Sequence, residues 1–180
     1  HHGALDDSQK SMLDGNFLGA SGQLQWLKDG VRTSTAVWKI LLMPTPFNPT
    51  VIKKSSVPPS SQDSWTGYQT ERGVLLRYLA ENQVQNVVML SGDLHAGAID
   101  DGTNSGVVEM LTPAVNFTPQ SPERCLSADF IGIWSHGTYV RTNPRVCNGY
   151  GVVHITPTQV DLQVKDETGV TRLMFTVAAR

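Results

Sequence analysis

The stretch VQNVVMLSGDLHAGAI, from Val84 to Ile99, constrains the fold of this chain more than any other. Val87, Val88, Met89 and Leu90 form a nearly continuous apolar run, and Ser91-Gly92 then lets the backbone turn. Such a run predicts an interior strand covered on both faces, as in the parallel sheets of α/β proteins. Asp93 and His95 follow at i and i+2, so an extended backbone would point both side chains one way and Leu94 back into the core. The carboxyl end of a parallel strand is where such sheets place their chemistry. Asp offers a hard oxygen and neutral His a nitrogen, a pair suited to zinc, manganese or iron. The plainer alternative is that Asp93 caps the loop and His95 is a hydrogen-bonded loop residue.

Upstream, SGQLQWLKDGVRT sets Leu24, Leu27 and Val31 on one helical face from Ser21 to about Thr33, with Ser21 as N-cap and Gly30 weakening the end. Thr35 to Met43 reads as a second interior strand, with Trp38 as a packing residue. Residues 44–65, rich in proline and serine, form a long loop over the carboxyl edge of the sheet, in the position of a lid; a linker between domains is the alternative. Asp63, Trp65 and Tyr68 close it, the aromatics being structural anchors or cleft residues. Glu71 to Glu81 is a helix with Val74, Leu75, Tyr78 and Leu79 as its apolar stripe and its charges turned away. Strand, helix and strand make a βαβ unit with a right-handed crossover. Beyond a turn at Asp100 to Asn104 and another strand, 150–155, 159–165 and 171–177 alternate as an antiparallel meander. His136 reads as a loop residue and His154 as an ordinary strand residue.

A chain of 180 residues with 39% hydrophobic content can bury one core, so residues 1–180 are expected to form a single domain with 1–16 as a polar lead-in. A net charge of −2 gives no basis for nucleic-acid or anionic-membrane partners. No apolar run approaches the ~18 residues of a membrane span, and no signal peptide is visible. His1 and His2 are left out of the site, and no Gly-rich phosphate loop or G-x-S-x-G elbow occurs. Cys125 and Cys147 flank an irregular segment. In an oxidising compartment they could join, a bridge worth about 3 kcal/mol in the chain-entropy model, and in a reducing one they would be two thiols.

Three blocks, LGASGQLQWLKDGVRTSTAVWKIL, DSWTGYQTERGVLLRYL and LSGDLHAG, follow one another between Phe17 and Gly97. With Gln23, Trp26-Leu27, Ser34, Trp38-Lys39, Asp63, Trp65, Gly67-Tyr68, Glu71-Arg72 and Ser91-Gly92-Asp93 with His95, this order resembles the C-terminal half of the PhoD-like alkaline phosphatases, within the calcineurin-like metallophosphoesterase superfamily. The likeness is weaker in the β-rich tail. The resemblance implies an α/β fold, the C-terminal part of a layered metallophosphoesterase sandwich with a mixed sheet, helices and a C-terminal antiparallel meander. It implies hydrolysis of phosphate esters, as a phosphatase or phosphodiesterase, at a centre of two or more divalent or trivalent ions drawn from Fe, Ca, Zn and Mn. His95 would bind one metal and Asp93 the other or its solvent, while Asp63, Trp65 and Tyr68 would line the cleft. The resemblance also implies a secreted, periplasmic or cell-surface protein, which favours the Cys125–Cys147 disulfide.

The upstream D-x-H, G-D and G-N-H-[DE] blocks that bring the superfamily's other ligands do not occur here, and neither Asp6-Asp7 nor Gly15-Asn16 replaces them. The chain is therefore expected to be the C-terminal portion of a larger enzyme, completed by its N-terminal half in cis or in trans. Unpaired sheet edges at 35–43 or 87–91 would then invite self-association. No catalytic residue is assigned. The alternative of a different class is a catalytically silent fragment or binding module.

Overall fold

The apolar run at 87–90 is buried on both faces because two different layers cover it. In the computed structural model, which describes residues 11–13, 22–51, 64–115, 132–139 and 148–180, it is strand β2 (Val87–Ser91). Its parallel neighbours are β1 (Lys39–Met43) and β4 (Val108–Leu111). β3 (Gly97–Asp100) and the short β5 (Thr138–Tyr139) extend the sheet antiparallel, giving the order β1-β2-β4-β3-β5. Side chains alternate across the pleat. Val87, Met89, Leu41 and Met43 join the core under helices α1 (Gln23–Thr33) and α2 (Gln69–Glu81), together with Val31, Leu75 and Leu79. Val88, Ile40, Ile99 and Met110 join a second core against the meander β6 (Gly149–Ile155), β7 (Gln159–Asp166) and β8 (Thr171–Ala178). The mixed sheet with its helices and terminal meander is the expected α/β layering.

Several local expectations change. Among the described residues β1 lies at the edge of the sheet rather than inside it, pairing only with β2, and Leu42 is 78% exposed. Gly30 lies within α1, which runs on to Thr33, and the N-cap is Gly22 at φ 76°, with Ser21 outside the described residues. α1 does lay Leu24, Leu27 and Val31 on the core, as its spacing predicts. Trp38 packs as expected, donating its indole N–H to the Thr156 carbonyl at 2.8 Å. The charges of α2 are not all turned away. Glu71 and Arg72 are buried, the first accepting hydrogen bonds from the Ser11 hydroxyl and from the Met12 amide at 2.7 Å. That carboxylate docks residues 11–13 onto the helix, with Leu13 in the core, so this part of the lead-in is packed rather than free.

The meander sits close against the sheet. A Cβ on Gly97 would fall 2.4 Å from Val164 Cγ1, so only glycine lets β3 approach β7 this closely. β7 buries Val160, Leu162 and Val164 on one face. The last turn forms at Glu167 to Gly169, with Gly169 at φ 87° and the Asp166 carboxylate accepting from the Thr168 and Val170 amides.

Candidate site at the carboxyl edge of the parallel strands

β1, β2 and β4 are mutually parallel and end together, with Met43 beside Ser91 and Ser91 beside Leu111. The loop 92–96 leaves β2 at that edge and returns as β3. Its backbone is not extended, as an i, i+2 pairing of side chains requires: Asp93 has φ 78° and His95 φ 56°. The left-handed region is costly for residues other than glycine, and Asp and His enter it more readily than most. Gly92 carries none of this strain, and a Cβ there would meet nothing nearer than Thr112 Oγ1 at 4.0 Å. The reversal falls on the two candidate ligands instead. Both side chains are exposed, while Leu94 packs against Val51, Ala96, Ala98, Leu111 and Trp134, as expected of it.

The other candidates separate from this loop. Trp65 is 1% exposed and meets Phe47 edge-on at 5.0 Å between ring centres, and Tyr68 joins the same core. Both occupy the place of structural anchors, buried under α2 rather than open at the edge. Trp65 opens a 3-10 turn, Trp65–Gly67, that leads into α2, while Thr66 donates to the Val51 carbonyl at 2.5 Å and so joins the two ends of the long loop. Asp63, Cys125 and Cys147 lie outside the described residues, as do 52–63 of the long loop. His136 stands at the far end of β3, 3.7 Å from Asp101 and stacked on Phe175. His154 is exposed on β6, 3.4 Å from Asp161.

One charged residue at this edge escaped sequence reasoning. Glu109 is wholly buried in β4, where Oε1 accepts from the Phe47 amide at 2.8 Å and from Ser91 Oγ at 2.6 Å, and Oε2 accepts from Ser105 Oγ at 2.7 Å. Burial pushes its carboxyl above the ordinary range, against the pull of those donors. A lone Glu inside the apolar GVVEML was the available signal. Arg72 reaches the same place from α2, donating to the Phe47 carbonyl at 2.8 Å and the Ser105 carbonyl at 2.5 Å. Burial lowers its pKa while the nearby Glu109 charge raises it.

The chain matches the PhoD-like phosphatase family over residues 4–164. The chain belongs to the PhoD-like phosphatase family. Alkaline phosphatase D of Bacillus subtilis (strain 168) is 36% identical over 89 residues, which are 49% of this chain and 15% of that protein. A solved structure titled "Structure of PhoD" superposes with a TM-score of 0.56 at 20% identity, covering 88% of this chain and 35% of that one. At that identity the superposition shows the PhoD fold alone. The chain therefore spans much less than half the length of these relatives.

Asp93 and His95 fit a metal in kind, one oxygen and one nitrogen donor exposed at the right edge of the sheet. They do not fit in number. Among the described residues no three His, Cys, Asp or Glu side chains come together as a metal-holding group. A PhoD-like centre built here needs donors from elsewhere.

Proposed function

We propose that this chain is the C-terminal portion of a metal-dependent phosphate-ester hydrolase of the PhoD-like type, to which Asp93 and His95 contribute ligands. The observation that carries this reading is their placement. Within a chain of this family, the parallel strands end in a loop that turns on two strained residues, both of them donors, and leaves both exposed. Strain of that kind persists where surrounding structure or a bound group holds it. Metal ions at such a centre lower the pKa of bound water and offset charge on phosphoryl oxygens. Asp93 and His95 would fix part of that centre at the sheet edge. The substrate is a phosphate ester, monoester or diester, and the remaining ligands come from the part of the PhoD fold that this chain does not span. Export and a Cys125–Cys147 disulfide belong to the same proposal.

The test is turnover of an aryl phosphate by the complete protein before and after chelation. Hydrolysis that is lost with chelator and restored by Mn, Fe, Ca or Zn supports the reading. Turnover indifferent to chelation would sink it. The second reading, a silent binding module, draws on one observation: β1 is an edge strand among the described residues, and beside it Trp26 and Leu42 are 63% and 78% exposed. That reading expects no turnover in the complete protein under any metal.

A further inference from the structure

We infer that Glu109 is a positioning residue, holding the two loops that leave the carboxyl edge, 44–51 and 92–96, through one buried carboxylate. Its consequence for catalysis rests on the phosphatase reading above.

An ionised carboxylate carries acceptors only, and deep burial is tolerable when donors engage both oxygens. Around Glu109 those donors come from three separate segments: the Phe47 amide beyond β1, the Ser91 hydroxyl at the end of β2, and the Ser105 hydroxyl before β4. Arg72 closes the ring by binding the carbonyls of Phe47 and Ser105, with its guanidinium 4.8 Å over the Phe47 ring. Phe47 is thus held at both its N–H and its C=O. Ser91 is held as firmly, since its carbonyl accepts from the Thr112 amide at 2.8 Å and from Thr112 Oγ1 at 3.0 Å.

Ser91 stands two residues before Asp93. With the strand fixed there, and Gly97 lodged against Val164 at the other end, the loop between is short and tied at both ends. Such over-determination is what lets Asp93 and His95 stay at positive φ. Sharing one carboxylate also couples the loops, so that disturbing Ser91 reaches Phe47. A group that orients ligands without touching the reacting atoms acts through them, as supporting shells do at metal sites.

The experiment compares wild type, Ser91→Ala and Glu109→Gln in this 180-residue chain. Nitrogen-15 relaxation reads residues 92–96, and hydrogen exchange reads the Phe47 amide. In Ser91→Ala the loop order parameters should drop from about 0.85 toward 0.6. Exchange at Phe47 should quicken about tenfold, while β6 to β8 keep their protection. Glu109→Gln retains an oxygen for Phe47 and Ser91, so it should behave nearly as wild type. An unchanged loop in Ser91→Ala, or a loosening spread evenly over β6 to β8, would overturn the proposal. Neither readout involves metal or turnover. A loosened loop with wild-type kcat in the complete protein would therefore remove the phosphatase role of 92–96 and leave the positioning intact.

Discussion

At Glu109, burial and hydrogen bonding pull in opposite directions, and burial wins. Its folded pKa lies above the unfolded value, so over the interval between them the folded chain holds a proton that the unfolded chain has released. Stability contributed there falls as pH rises. Replacing the carboxyl by an amide removes that slope. Urea unfolding of wild type and Glu109→Gln, followed upward in pH from the ordinary carboxylate range, should show the variant gaining on wild type as pH climbs, and a difference independent of pH would contradict the assignment. Asp100 has the opposite sign. Burial again pushes upward, but donors from Asn104, Ser105 and Ser135 outweigh it and hold the carboxyl below its ordinary range. Its contribution is complete above the unfolded value and is lost as pH falls through the folded one.

Residue roles were unevenly legible in the sequence. Asp93 and His95, the proposed ligands, stand out in the sequence because donors after an apolar strand are a chemical signal. Their left-handed backbone does not, since a D-x-H spacing does not specify φ. Glu71 and Arg72 were misplaced for a different reason. A helical stripe is drawn through apolar positions, and a charged side chain joins the core only where distant groups, here Met12 and Phe47, supply partners.

Among the elements, β1, α2 and β2 form the βαβ unit that the apolar runs predict. The three meander strands form where the pattern places them, and the alternation shows as burial in β7 and β8 but not in β6. The order of the sheet was not legible: β4 inserts between β2 and β3, so β3 reverses direction beside a strand that follows it in the chain. Register across layers depends on close contacts such as Gly97 with Val164, which no local pattern encodes. Gly97→Ala should destabilise the chain by about 2 kcal/mol through overpacking. Adding Val164→Ala should return part of that loss, because the two sites share one space. Purely additive costs in denaturant unfolding would show that β3 and β7 do not meet there.

For the whole molecule, the helix layer, mixed sheet and meander account for two cores and leave β1 at an edge of the described sheet. A strand at the edge of the described sheet, with an exposed Leu42, is a template for pairing with another chain. Light scattering across a wide concentration range should show self-association that Leu42→Lys reduces while the melting temperature stays put. A strictly monomeric wild type would count against an open edge. The described part of the chain contains no helix long and apolar enough to cross a membrane.

The central claim is that the loop after β2 supplies part of a metal centre, and metal content tests it most directly. Elemental analysis of the complete protein beside its Asp93→Ala and His95→Ala variants, on samples of verified intact mass, should find fewer metal ions per chain in each variant. Equal metal content in all three would contradict the account.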